Sequence, residues 1–279
     1  MCRMLIASGN VNLSQLFDGI IAMASDQTKL HGFNKNKGLG SFQHLDGWGI
    51  AYLDENDNWI LRKSTKPILN DPLVEELREV KTKLAIIHAR KGSKGGRVVN
   101  NNHPFQYNNY TFCHNGHIRN PIKYNKKYHP LGDTDSERLF YAIISNLNEQ
   151  RNNFTQAIGK TLRQNNYCKG SNLVFANKED SYIAIKENTR PEYYNMCLGK
   201  NKDQVIVSSE ILANIPGLKW EELPSGSLVR IINKTGKHYV TRNLKFTPLK
   251  SLSLLRFSSR KHLFVPPKSL HYEQLLQPQ

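Results

Sequence analysis

The chain has 279 residues, with 39 Lys+Arg against 23 Asp+Glu and a formal net charge of +16. About 38% of the residues are apolar and 22% are charged, a globular balance that excludes collagen, coiled coil and wholesale disorder. No segment is apolar for long enough to cross a bilayer, and residues 1–6 lack the apolar core and small-residue cleavage site of a secretory signal. The charge raises the question of an anionic partner, with nucleic acid the first to weigh.

An apolar stretch over residues 2–7 predicts the first strand. Leu13, Leu16, Phe17, Ile20, Ile21 and Ala24 then recur at helical spacing, which predicts a helix capped by Asn12. Residues 48–53 and 59–62 flank the polar turn Asp54-Glu55-Asn56-Asp57-Asn58 and read as a hairpin. Asp71-Pro72 opens a second helix, because proline fits the first helical position. Strands are predicted over 84–90 and 110–114. A helix from about 136 to 147 buries Leu139, Phe140, Ile143, Ile144 and Leu147, and another from about 154 to 163 buries Phe154, Ile158 and Leu162. A second hairpin (173–176 with 182–185), a strand over 205–208 and a pair at 228–232 and 238–240 follow. Helices lying in pairs between runs of strands indicate helix layers on antiparallel sheets, not a doubly wound βαβ fold. From about Thr241 the periodicity is lost, and residues 241–279 hold seven basic residues and one acidic one. The expected organisation is a domain over 2–240 and a basic C-terminal arm over 241–279.

Cys2, Cys113, Cys168 and Cys197 form no CxxC pair. Four cysteines are too few for a disulfide-stapled secreted scaffold, so reduced thiols and a cytoplasmic location are expected. Cys113, between Phe112 and His114, reads as a packing residue. Cys2 is different. Excision of Met1 would leave one residue with both a thiol and a free α-amine, so that a nucleophile carries its own base. That amine has a reference pKa of roughly 7.7–8.0 and is partly unprotonated near neutrality.

Five clusters concentrate catalytic residue types: Cys2, Asp46-Gly47-Trp48-Gly49, His88-Ala89-Arg90, the stretch 100–105 with His114-Asn115-Gly116, and Gly132-Asp133-Thr134-Asp135-Ser136-Glu137. Each alone has a plain structural reading. Asn-Gly makes turns, and Thr134, Asp135 or Ser136 can cap a helix. Together they suit acyl transfer on an amino acid. Asn115 and the Gly116 N–H can donate to a tetrahedral oxyanion, Arg90 can fork onto a carboxylate, and Asp135 can take an ammonium. The ten histidines show no HxxxH or HxH pair, so no metal or other cofactor is expected.

In this order, Cys2, Asp46-Gly47-Trp48-Gly49, His88-Ala89-Arg90, Asn102-His103-Pro104-Phe105, His114-Asn115-Gly116 and Thr134-Asp135-Ser136-Glu137 resemble the class II glutamine amidotransferases, a branch of the N-terminal nucleophile hydrolases. The chain is most similar to the compact stand-alone subgroup that includes the γ-glutamyl amidase of ergothioneine biosynthesis. The opening Met1-Cys2-Arg3, the Asn-Asn-His-Pro-Phe stretch, and Ser208-Ser209-Glu210 followed by Leu223-Pro224-Ser225-Gly226 fit that subgroup, so the resemblance spans about residues 2–232. It implies an α+β fold, a four-layer α/β/β/α sandwich. It also implies that Cys2 attacks glutamine or a γ-glutamyl amide to give a thioester and ammonia or an amine. Asn115 and Gly116 would form the oxyanion hole, Arg90 would bind the α-carboxylate and Asp135 the α-ammonium. Ser93, three residues after Arg90, would edge the pocket within an unusually basic loop, Lys91-Gly92-Ser93-Lys94-Gly95-Gly96. The Asp-Gly-Trp-Gly strand takes a structural role, and His103 and His114 are expected to be hydrogen-bonded scaffold. With no synthase domain evident after residue 232, either a partner subunit accepts the ammonia or the enzyme simply hydrolyses its substrate. The competing reading is a non-catalytic relative that binds a polyanion or partner protein through its basic surface. No nucleic-acid motif or dense basic helix supports it, so nucleic acid is not the expected substrate.

Overall fold

Alternation along the strands sets the architecture. In β1 (Arg3–Asn12), Met4 and Ile6 point into one apolar layer, while Leu5, Ala7 and Val11 point into another. In β4 (Lys81–Ala89), Leu84 and Ile86 join the first layer, and Ala85, Ile87 and Ala89 the second. Strands buried on both faces read as continuous apolar runs, which is why these segments carry so little polar alternation. The computed structural model describes residues 2–28, 31, 42–186, 189 and 191–244. All of them fall within one unit, Met1–Pro248.

The first antiparallel sheet runs in the order β11 (Lys219–Leu223), β9 (Met196–Lys200), β10 (Gln204–Ser208), β1, β4, β2 (Trp48–Leu53) and β3 (Trp59–Ser64). The second runs β13 (Lys237–Thr241), β12 (Ser227–Ile232), β8 (Asp180–Ile185), β7 (Cys168–Ala176), β6 (Tyr110–Ile118) and β5 (Phe105–Tyr107). Their inner faces share one layer, where Met4, Ile6, Ile86 and Val207 meet Cys113, Val174, Ile183 and Val229. Cys113 is fully buried there as a packing residue, and burial pushes its thiol well above the usual range.

Helices cover the outer faces. On the first sheet lie α1 (Leu13–Ala24) and α2 (Pro72–Leu77). Asn12 caps α1 by accepting from the Ser14 N–H at 2.9 Å. Asp71 caps α2 through the Leu73 N–H and takes the Trp48 indole N–H at 3.0 Å on its other oxygen. On the second sheet lie α3 (Asp135–Glu149) and α4 (Phe154–Gln164), whose Leu139, Phe140, Ile143, Ile158 and Leu162 pack on Leu173 and Phe175. A short helix, α5 (Pro191–Tyr194), precedes β9. The four-layer α/β/β/α sandwich is thus the fold expected from the sequence.

Three strands lacked a legible signal: β5, β9 and β11. β11 is a half-exposed edge rich in charge, and β9 contains Gly199. The Trp220 ring lies directly across from that glycine, so a Cβ at 199 would sit 2.8 Å from the indole. Here glycine marks a packing partner and not a break. Beyond residue 244, the predicted basic arm lies outside the described residues.

Candidate active site

Register brings the site together. Arg3 pairs with Ala89, and so does Trp48. That sets Cys2, Arg90 and the Asp46-Gly47 turn at one end of the first sheet. The Arg90 N–H donates to Gly47 O at 2.8 Å, and the Asp46 N–H to Arg90 O at 3.0 Å. Gly47 takes φ +113°, a left-handed conformation that favours glycine. In the second sheet, Asn115 and Gly116 of β6 face Asn172 and Ser171 of β7.

Cys2 joins the two sheets. Its backbone nitrogen donates to Asn115 Oδ1 at 2.8 Å, which leaves the NH₂ end of that amide uncommitted to Cys2. The Lys91 N–H donates to Cys2 Sγ at 3.4 Å, and the Tyr193 hydroxyl donates to Cys2 O at 3.2 Å. Cys2, Arg90, Ser93, Gly116 and Asp135 line one cleft, with His103 and His114 in its wall. Asn115 stands behind Cys2. The sequence-predicted residues therefore converge, although up to 133 positions separate them.

The Arg90 guanidinium is buried, and both of its terminal nitrogens are engaged with carbonyls. It donates to Lys94 O at 3.0 Å, to Gly95 O and Gly96 O at 3.2 Å, and to Asp46 O at 3.5 Å. Among the described residues no carboxylate pairs with it. The basic loop thus folds back onto the arginine. Asp46 holds that loop through the Gly92 N–H at 2.8 Å and an ion pair with Arg97, which gives the Asp-Gly-Trp-Gly turn its structural task. Gly95 adopts φ +77°, and a Cβ there would come within 2.5 Å of Asp133 Oδ1. Ser93 sits at the rim, its hydroxyl 3.3 Å from His117 Nδ1.

On the opposite wall, Thr134 is the N-cap of α3, with its hydroxyl accepting from the Glu137 N–H at 3.3 Å. Glu137 reaches back to the Leu131 and Gly132 N–H groups at 2.8 and 2.7 Å. Asp135 is the first residue of α3, and one of its oxygens accepts from the Ile118 N–H at 2.6 Å. A helix start favours its negative charge.

His114 sits between two hydroxyls, Ser136 Oγ at Nδ1 and Ser171 Oγ at Nε2, both at 2.9 Å. Burial pushes its pKa down to about 4, with the Asp135 carboxylate partly opposing, so the ring is neutral scaffold as expected. His103 corrects that expectation in part. Its ring lies against that of His88, centroids 4.1 Å apart and tilted by 35°, and neither of its nitrogens has a hydrogen-bond partner. It is scaffold by packing, and burial holds it well below the usual histidine range. Burial likewise lowers His88 to about 3.

Sequence reasoning missed the Lys91 N–H, Ser171 and Tyr193. Ser171 and Tyr193 belong to no motif, Lys91 acts through its backbone and not its basic side chain, and each reaches the site only through the fold. A roomier cleft of about 540 Å³, lined by Lys123, Lys127, Glu149 and Lys160, lies on the helical side and shares no residue with the Cys2 cleft. Among the described residues, no three His, Cys, Asp or Glu side chains could together hold a metal ion, and no helix is long and apolar enough to cross a membrane.

Comparison with known proteins points the same way. A family model described as "Glutamine amidotransferases class-II" matches residues 13–189, a span that holds Arg90, Asn115, Gly116 and Asp135 and begins after Cys2. The Escherichia coli protein named "Putative glutamine amidotransferase YafJ" is 26% identical over 159 residues, 54% of this chain and 56% of its own length. This chain therefore spans only about half of that relative. The Saccharomyces cerevisiae "Probable glutamine amidotransferase DUG3" is 25% identical over 300 aligned positions, 84% of this chain and 83% of its own. Among solved structures, the "allosteric regulatory enzyme of purine biosynthesis" superposes with a TM-score of 0.64 at 18% identity, covering 87% of this chain and 50% of that one. A glutamine aminotransferase class-II domain protein from Silicibacter pomeroyi gives 0.56 at 17%, covering 85% and 98%. At such identities these two show the fold alone.

Proposed function

The chain belongs to the class-II glutamine amidotransferases, and from that membership we propose that it cleaves the side-chain amide of glutamine or of a γ-glutamyl amide through Cys2. The observation that carries this reading is the Cys2 nitrogen on Asn115 Oδ1, in a cleft shared with Arg90 and Asp135. Loss of Met1 would turn that nitrogen into an α-amine. The amine takes the thiol proton, and Sγ adds to the amide carbon. The tetrahedral oxyanion receives hydrogen bonds from the Asn115 amide and the Gly116 N–H, each worth on the order of 3 kcal/mol in the transition state. The C–N bond then breaks, the protonated amine passes its proton to the leaving nitrogen, and a thioester remains. Water cleaves the thioester, releasing the carboxylate and restoring the thiol.

Arg90 would bind the substrate α-carboxylate, exchanging backbone carbonyls for a charged partner, and Asp135 would take the α-ammonium on the oxygen that does not accept from Ile118. Ser93 and His117 edge the opening. Ammonia from the first step would pass to a partner subunit or to solvent.

The test is release of glutamate from glutamine and from a panel of γ-glutamyl amides by wild type and Cys2→Ala, with intact mass to read removal of Met1. Hydrolysis that vanishes in Cys2→Ala, with Met1 absent, is the expected result. Retained Met1, or hydrolysis undiminished in the variant, overturns the reading.

A further inference from the structure

Cys2 has three polar ends, and a different element grips each one. Asn115 of β6 holds the nitrogen, the Lys91 N–H after β4 faces the sulfur, and Tyr193 of α5 donates its hydroxyl to the carbonyl oxygen. The first two grips act on reacting atoms. The third does not, and no step of the proposed chemistry uses it.

We propose that Tyr193 is a positioning residue for the nucleophile, its hydroxyl fixing the Cys2 carbonyl so that the α-amine and thiol of that residue stay aligned. The inference rests on the reading of Cys2 as nucleophile. Once Met1 is removed, residue 2 is a chain end with no upstream peptide to hold it. The plane of its carbonyl then sets the directions in which the amine and Cβ project. Nitrogen and Cβ turn together about the Cα–C bond, so the contacts at nitrogen and sulfur aim them relative to the carbonyl plane. A contact on the carbonyl oxygen fixes that plane, the frame from which Asn115 and the Lys91 N–H hold the amine and the thiol.

Tyr193 is itself built in. Its hydroxyl has one hydrogen, which goes to Cys2 O, so the His44 Nε2 lying 3.4 Å away must be the donor to that oxygen. This assigns His44 its Nε2–H tautomer. The Arg3 guanidinium lies 4.5 Å from the centre of the Tyr193 ring, and its Nε donates to Glu210 at 2.6 Å. Both members of that ion pair are almost wholly buried. Phe42 and Tyr194 meet the same ring edge-on at 5.7 and 5.2 Å. Arg3 adjoins the nucleophile in sequence, and Glu210 ends the Ser208-Ser209-Glu210 motif, so the tyrosine ring ties two distant motifs to one residue. Burial raises the Tyr193 phenol and lowers the His44 imidazole, keeping both neutral and the donor chain intact.

Tyr193→Phe removes only the hydroxyl. In the full chain, the pH dependence of Cys2 alkylation by iodoacetamide is read by peptide mass, alongside steady-state hydrolysis of L-glutamine. The expected result is a kcat lower by about ten- to a hundredfold with KM within about twofold, and an alkylation midpoint displaced from that of wild type. A role confined to packing would leave that midpoint in place. Should Tyr193→Phe fail to fold, His44→Gln decides. It keeps an N–H donor for the hydroxyl, so a wild-type midpoint is expected there, while His44→Phe should displace it. Wild-type kcat and an unmoved midpoint in Tyr193→Phe overturn the proposal, as does an unmoved midpoint in His44→Phe. Those results leave the nucleophile standing if Cys2→Ala is inert, whereas an active Cys2→Ala removes the nucleophile reading itself.

Discussion

The two sheets contribute unlike halves of the cleft. The second sheet brings Asn115, Gly116 and Asp135 on walls fixed by side chains: His114 between two serines, Asp135 on the Ile118 N–H, and Glu137 on the amides ahead of α3. The first sheet brings Cys2 and Arg90, and there the partners come from one exposed loop: the Lys91 N–H and the carbonyls of Lys94, Gly95 and Gly96. One half is preorganised for developing charge. The other is held by contacts that a substrate can replace. Electrostatic preorganisation is the more demanding geometry, since a donor misplaced at the oxyanion costs directly in rate. A carboxylate binder can instead form its final contacts on binding.

This contrast can be broken in four further ways, taken from the largest effect to the smallest. Cys2→Ala should lower the rate of amide hydrolysis by on the order of 10⁴-fold or more, measured as glutamate release. Asn115→Asp keeps an acceptor for the Cys2 nitrogen and removes the oxyanion donor, so kcat should fall by about 10²–10³. An increase in KM alone would show that this half binds substrate and does not stabilise charge. Arg90→Lys should raise KM by about tenfold with a smaller change in kcat, because a lysine cannot make the paired hydrogen bonds of a guanidinium to a carboxylate. A dominant fall in kcat would erase the distinction between the halves.

The fourth concerns acid. The native pKa of His114, about 4, lies below its unfolded value near 6.5, so between those pH values the unfolded chain binds more protons. Stability contributed by the neutral ring is therefore full above about pH 6.5 and falls as pH drops toward 4. His88, lowered to about 3, acts in the same direction over a wider range. A calorimetric Tm should drop by several degrees between pH 7 and pH 5, and His114→Asn should flatten that slope. An unchanged Tm across this interval would show that the second-sheet wall admits charge.

The site was more legible in the sequence than the edges of the fold. Cys2, Arg90, Asn115 and Asp135 each stand within a short run of uncommon residue types, and the α1, α3 and α4 helices announce themselves by apolar spacing, the first two also by caps at Asn12 and Thr134. Edge strands carry no such pattern. β11 has one buried residue of five, and β9 makes sense only once Trp220 is seen across from Gly199. The unexpected His103 geometry has the same origin. The ring it lies against, His88, comes from β4, and nothing near residue 103 signals it. Tyr193 is the extreme case, since it touches a carbonyl 191 positions away.

The shared inner layer has a thermodynamic consequence. Each sheet lends one face to a helix-covered core and the other to the layer between the sheets, so the three apolar layers have walls in common. Peeling one helix layer away bares a sheet whose other face supports the rest. Such a body is expected to melt as one unit and not by halves, which coincident calorimetric and circular-dichroism transitions would check. Because Cys2 on one sheet is bound to Asn115 on the other, the cleft lies at that common wall. Its second-sheet wall should then be lost with global unfolding, while the loop on Arg90 can open locally.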